Sequence, residues 1–248
     1  MSEIFKPIPV VPASNNRLLF SLRCLFDLQL HEIRRFLSRE LVGCRGRVLD
    51  VGAGQAPWRE LFDQNVTWIG LDVETSWQFG MSSTPDVVYY DGISMPFDDG
   101  SFDCVLCVEV LEHVPNAEAF VSELLRVLRR GGSLVLTIPW AARVHHLPHD
   151  YRRLTSYGLN LLLSNAGFRL IRIEDRGNDV AAIANQLIVI MVRLARPGRL
   201  YNILWTWPLC ALLAPFMAGF VTAAHMTMRM SMGTSENPLG YQLVAFKP

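Results

Sequence analysis

Carboxylates close three apolar stretches of this chain: Asp50 in RVLDV, Asp72 in IGLDV, and Asp91 after VVYY. The first stretch runs into Gly52-Ala53-Gly54, and Gln55-Ala56-Pro57 follows. Glycines at such a turn permit positive φ and let a ligand touch the backbone. A strand, a glycine turn and a helix start in succession present N–H groups and a helix dipole to negative ligand groups. Asp72 follows the turn by about twenty residues, the spacing at which a carboxylate accepts from both hydroxyls of a ribose. Asp91, with Gly92 beside it, is placed to accept from an exocyclic adenine amine. Asp50 suits a ligand that carries an ammonium group better than a pyrophosphate. At the carboxyl edge of one sheet the three carboxylates outline an adenosine-shaped crevice. Each has a plainer reading, because aspartates often cap turns; the three in order beside the glycines make that reading poor.

Proton transfer is the second chemistry on offer, since histidine titrates near neutral pH. His113 follows Glu112, and His145, His146 and His149 cluster in VHHLPHDYRRLT at 144–155. The residues expected to act on an acceptor are His113, His149, Tyr151 and Arg152. Against this stands the reading that His149-Asp150 only pins the loop. Glu109, Glu112 and His113, at i, i+3 and i+4, would converge on one face if helical, as metal ligands must. That reading is set second, and no metal is expected. No nucleophile elbow of the G-x-S-x-G kind is present.

These residues need elements to hold them. Strands are expected at 47–51, 67–72, 87–90, 102–108, 133–138, 168–174 and 240–246, with helices at 58–64, 117–130 and 159–166. Strands alternating with helices mean a largely parallel, doubly wound sheet. Leu18, Leu22, Leu25, Phe26, Leu30, Ile33 and Leu37 recur at helical steps, which predicts one amphipathic helix over 17–41 packed on the domain. Residues 1–16, with Glu3, Pro7, Pro9 and Pro12, read as an irregular lead-in without a cleavable signal peptide. Cys104 and Cys107 fall inside a strand and read as core rather than as a redox or metal pair.

The chain resembles the class I S-adenosylmethionine-dependent methyltransferases, specifically the type 11 group. The resemblance rests on VLDVGAG at 48–54, IGLDVE at 69–74, YYDGISMPFDDGSFDCVLCVEVLEHV at 89–114 and LRVLRRGGSLVLTIPW at 125–140. It implies S-adenosyl-L-methionine as cofactor, with Asp50, Gly52, Ala53 and Gly54 at its methionine part. It further implies Asp72 and Val73 at the ribose, Asp91 and Gly92 near the adenine, and Glu109 bordering the site. Gln55-Ala56-Pro57 stands where the family often has a third glycine. The expected fold is α/β: a Rossmann-like, doubly wound, mostly parallel seven-stranded sheet with an antiparallel last strand. A hydrophobic helical hairpin is inserted before that strand. The domains would be 1–42 as lead-in and cap helix, 43–177 with 238–248 as the cofactor domain, and 178–237 as the insert.

The 23 basic and 23 acidic residues of the 248 cancel, so no global field recruits nucleic acid. Half of the residues are hydrophobic. Much of that excess lies at 180–192 and in the charge-free run 200–224, between which come Arg193, Arg196 and Arg199. The second run is long enough to span a membrane, but Pro208 and Pro215 interrupt it. The last strand must also return to the same sheet. The expectation is therefore a hairpin dipping into one leaflet, with the arginines at headgroup level; a lid or a dimer interface of buried helices is the other reading. Five cysteines without a secreted framework fit a reducing cytoplasm. The function expected is methyl transfer to an oxygen of a hydrophobic, lipid-linked or glycan acceptor, at the inner membrane face. The rivals are an inactive scaffold of the same fold and a nicotinamide-dependent oxidoreductase.

Overall fold

The computed structural model describes residues 7–84, 86–196 and 200–248; Glu3 of the lead-in and Arg199 of the insert lie outside the described residues. Seven strands form one sheet: β1 (Arg47–Val51), β2 (Thr67–Val73), β3 (Val87–Tyr90), β4 (Phe102–Val108), β5 (Leu128–Pro139), β6 (Arg169–Arg176) and β7 (Gly240–Phe246). Their order is β3-β2-β1-β4-β5-β7-β6. Only β7 runs antiparallel to its neighbours, β5 and β6. Chain order reverses between β1 and β4, and ligands of such sheets bind at the carboxyl ends of the strands at that switch.

Alternate residues of the strands feed two cores. On one face Leu49, Val105, Leu136 and Leu243 pack against Phe120, Val121 and Leu124 of α3 (Ala117–Val127) and Leu159 and Leu163 of α4 (Ser156–Ala166). On the other face Val48, Leu106, Val135 and Val244 meet Leu30, Ile33, Phe36 and Leu37. Those side chains come from α2 (Leu28–Glu40), and α1 (Arg17–Phe26) adds Phe20 and Cys24.

Here the structure departs from the sequence reading. The single helix expected over 17–41 is two, because Asp27 turns out of helical geometry and caps the second helix by accepting from the Leu30 N–H at 3.0 Å. The helix expected at 58–64 is only a 3-10 turn, Arg59–Leu61. Pro57 precedes it, and Trp58 is buried in the core that α2 fills, so the N-terminal helices occupy the face where a β1–β2 crossover helix would lie. The helix expected to reach 130 ends at Val127, and β5 starts at once. Before the last strand come α5 (Asp179–Ala195) and α6 (Ile203–Arg229), which pack against each other. α6 runs through Pro208 and Pro215 without a break. Its apolar run and its packing on α5 outweigh the backbone bonds that the prolines remove.

Candidate functional site

The crevice opens where β1, β2 and β4 end. Gly52 and Gly54 both adopt positive φ, +73° and +53°. A Cβ on Gly52 would stand 2.2 Å from Val110 Cγ2, so the turn is packed to its backbone. The N–H groups of Gly52 and Ala53 donate to the Leu71 carbonyl at 2.8 and 3.1 Å, and that of Gly54 donates to Asp72 Oδ2 at 2.9 Å. The expected anion site at a helix N-terminus is therefore not formed. No α-helix follows the turn, and these donors are spent on β2. What the turn supplies is a floor without side chains.

Asp72 lines the crevice together with Val73, Tyr90, Asp91, Gly92 and Ile93. Burial pushes the Asp72 carboxyl up from its ordinary pKa, although the N–H groups of Gly54 and Val73 oppose this. Asp91 Oδ1 accepts from the N–H of Ile93 at 2.8 Å, so that oxygen shapes its own turn. Asp50 is placed differently from expectation. It lies beneath the turn, 1% exposed, outside the crevice lining. Its Oδ2 has no hydrogen-bond partner among the described residues, and burial pushes its pKa up to about 7. Direct contact with a ligand ammonium is not available from there.

Glu109, just past β4, borders the crevice as expected. It sits at φ +53°, a left-handed conformation rare for a residue with a side chain. Three bonds fix it. Thr137 Oγ1 donates to Oε1 at 2.9 Å, and Arg176 clamps the carboxylate through Nη1 at 2.8 Å and Nη2 at 3.1 Å. Arg176 is fully buried at the end of β6, and its guanidinium passes so close to Gly240 that a Cβ there would lie 2.4 Å from Nη2. Sequence reasoning missed Arg176; its signal is one arginine followed by Gly177 at a strand end. With Glu109 committed to Arg176, the triad of Glu109, Glu112 and His113 does not converge. Only a 3-10 turn, Leu111–His113, follows the strand, not the helix that would align them.

Four histidines form the rim. His113, His146 and His149 line the same crevice as Asp72 and Asp91. His145 joins His113 and His146 on the adjoining side, where Pro9, Val10 and Arg23 of the N-terminal region close over the glycine turn. Burial pushes His113 down to a pKa of about 4, so the ring is neutral at ordinary pH. The His149 ring lies 3.0 Å from the Tyr151 hydroxyl through Nδ1. Phe79, which sequence reasoning also missed, stacks edge-on to His146 and His149 at centroid distances of 5.2 and 5.7 Å.

Two expectations in the loop at 140–155 change. Arg152 does not reach the crevice; it donates to the carbonyls of Leu111 and Pro115, each at 2.9 Å, and to that of Val114. It braces the 3-10 turn that carries His113. The pin of the loop is Asp150, whose carboxylate accepts from Arg153 at 2.6 and 2.9 Å and from the His145 N–H at 3.0 Å. Burial would raise the Asp150 pKa, but Arg153 and His145 hold it below the ordinary value.

A family model described as a methyltransferase domain matches residues 49–136. A demethylmenaquinone methyltransferase of Beutenbergia cavernae is 35% identical over 127 residues, which is 47% of this chain and 53% of that protein. A phosphatidylethanolamine N-methyltransferase of Cereibacter sphaeroides is 31% identical over 114 residues, 42% of this chain and 53% of that protein. The chain thus spans about half the length of the curated relatives it matches. Among solved structures, a SAM-dependent methyltransferase from Archaeoglobus fulgidus superposes with a TM-score of 0.53 at 19% identity. That superposition covers 92% of this chain and 99% of the other, a likeness of fold.

Proposed function

We propose that this chain, a class I S-adenosylmethionine-dependent methyltransferase of the type 11 group by its domain and relatives, methylates an oxygen of a hydrophobic acceptor. The observation that carries the reading is that the histidine rim and the Asp72–Asp91 floor open into one crevice. The crevice suits the cofactor. Gly52 leaves no room for a Cβ, Asp72 and Asp91 keep acceptor capacity beyond their backbone bonds, and Val73, Ile93 and Val110 supply apolar walls. The cofactor brings a sulfonium methyl that is already a potent donor, which fits a site without a protein nucleophile. The chain's own work is then alignment and proton removal. Asp72 holds the ribose and the glycine turn admits the methionine part. His149, hydrogen-bonded to Tyr151, takes the acceptor proton, with neutral His113 beside it.

The hydrophobic character of the acceptor rests on α6. Its side chains Leu204, Trp205, Trp207, Leu212, Phe216 and Phe220 are all exposed, and only 11% of its most apolar window is buried. So large an apolar surface on one element marks an interaction site. Arg193, Arg196 and Arg229 border it at the helix ends, as befits a helix pair lying in a lipid interface on the cytoplasmic face. The curated relatives described above are named for a quinone and a phospholipid acceptor.

Calorimetric titration with S-adenosylhomocysteine, with NAD and NADH as controls, tests the cofactor. Micromolar binding of S-adenosylhomocysteine alone supports the reading, and binding of NADH in its place would make the chain an oxidoreductase. Turnover with labelled S-adenosylmethionine and a lipid extract separates an enzyme from a scaffold.

A further inference from the structure

We propose that His113, His145 and His146 bind a divalent transition-metal ion with an open coordination position facing the crevice. One ring nitrogen from each lies within 4.8 Å of the others, and all three rings are half-buried. A tetrahedral ion with N–metal bonds of about 2.1 Å holds its nitrogens about 3.4 Å apart, so the rings must close by little more than an ångström.

The surroundings already have the form of a second coordination shell. His113 Nδ1 faces the His149 carbonyl oxygen. His145 Nδ1 faces the Arg143 carbonyl at 3.0 Å and the Asp150 carboxylate at 3.3 Å. Carbonyl and carboxylate acceptors at Nδ1 place the ring proton there and leave the Nε2 lone pair for a ligand, the usual arrangement of metal-bound histidines. His146 is held at φ +54°, a strained conformation that persists only where its surroundings fix it.

An independent observation calls for a cation at this place. Glu112 is fully buried, neither side-chain oxygen has a hydrogen-bond partner among the described residues, and Oε1 lies 3.6 Å from His113 Nε2. A buried carboxyl group without a hydrogen-bond partner is costly in either protonation state, and a divalent ion bound beside it would give those oxygens a partner. Three histidines with an open position make a catalytic rather than a structural metal site. The ligand class for that position is a hydroxyl or carboxylate oxygen, whose proton such an ion makes easier to remove. This assignment of the acceptor to the ion rests on the methyl-transfer reading; the binding of the ion itself does not.

The test uses Co(II) alone, added to the full chain and followed by visible d–d absorption and equilibrium dialysis. One Co(II) per chain is expected, displaced by Zn(II). His145→Ala and His146→Ala should each weaken it about 100-fold or more, while His149→Ala, which keeps the carbonyl facing His113, should retain it. His146→Gln, with folding checked by thermal melting, serves if His145→Ala disturbs the Asp150 pin. Failure to bind Co(II) stoichiometrically, or undiminished affinity in the His145 and His146 variants, overturns the proposal. Titration of the same samples with S-adenosylhomocysteine keeps the two readings apart: nucleoside binding without Co(II) sinks the ion alone. Co(II) binding without S-adenosylhomocysteine sinks methyl transfer and leaves the ion.

Discussion

Asp72 Oδ2 accepts the backbone N–H of Gly54 at 2.9 Å, while its Oδ1 accepts that of Val73 at 2.8 Å. The carboxylate assigned to the ribose is therefore also the staple that holds the glycine turn against β2. Asp72→Asn keeps one acceptor oxygen for one of these jobs. It should remain folded and bind S-adenosylhomocysteine about 10- to 100-fold more weakly, the worth of one or two hydrogen bonds to a charged group. Asp72→Ala should lose binding and also about 1–3 kcal/mol of stability. Calorimetry and thermal melting of the two variants read this split, and equal affinity in Asp72→Asn would remove Asp72 from the cofactor site.

The turn's packing gives a second prediction. Gly52→Ala places a Cβ 2.2 Å from Val110 Cγ2 at a φ of +73°. Overpacking and the left-handed backbone together should cost at least about 2 kcal/mol. In a chain of this size that lowers the melting temperature by about 4–8 °C. Gly43→Ala, with nothing within 4 Å and no positive φ, is the matched control and should leave the midpoint where it is.

Breaking the clamp under the site should be costly. Arg176→Ala leaves the partly buried Glu109 with Thr137 alone, and loss of about 2 kcal/mol is expected from removing its charge-assisted bonds. Urea unfolding measures it. Replacing both members, Arg176→Met with Glu109→Leu, should recover most of that loss; if the double variant is no more stable than the single one, the cost lies in Arg176 packing and not in the stranded charge.

Asp50 sets a pH dependence. Its pKa in the folded chain is pushed up to about 7 by burial, against an ordinary value of 3.8. The folded state thus holds the proton more tightly, so this contribution to stability is complete below about pH 4 and is lost as pH rises through 7. Asp50→Asn cannot ionise. The variant should match the parent near pH 4 and exceed it above pH 8, by an amount on the order of 4 kcal/mol. Chemical unfolding at a series of pH values follows the gap, and a gap independent of pH would mean that Asp50 is solvated after all.

For the apolar surface, Leu212→Glu with Phe216→Glu alters two exposed side chains of α6. Folding should be unaffected, since neither is part of a core. Flotation with anionic phospholipid vesicles should fall at least about tenfold, because each change removes apolar area and adds a charge repelled by the lipid. Retained flotation would move lipid contact elsewhere.

The sheet was legible because its strands carry β-branched or aliphatic runs and β1 to β4 and β6 stop at a glycine or an acidic residue, a signal that tertiary packing reinforces. Asp72, Asp91 and Glu109 at the crevice were readable for the same reason, since their place depends only on where strands stop. Other roles were decided by contacts remote in sequence. The helix expected after β1 gave way to a turn because residues 28–41 cover that face, which no local pattern announces. Arg152 looked like an acceptor contact until the carbonyls of Leu111, Val114 and Pro115 were found around it. His145 and His146 were visible as a cluster, but their meeting with His113 depends on a loop folding back across the strand ends.

The chain leaves and rejoins the sheet for the helix pair beside one rung, where Arg176 pairs with Gly240. Above that rung, Asn178 Nδ2 donates to the Met232 carbonyl at 2.7 Å and the Asp179 N–H donates to that of Thr234 at 3.1 Å, bracing the departing and returning chain against each other. The helix pair also rests on the N-terminal helices, where Leu28 packs among Ala181, Ala182, Ala184 and Ala224 and His225 Nε2 lies 3.0 Å from the Leu25 carbonyl oxygen. The residue at that rung is the one that clamps Glu109, so the point where the helix pair joins the sheet and the rim of the crevice share a single guanidinium.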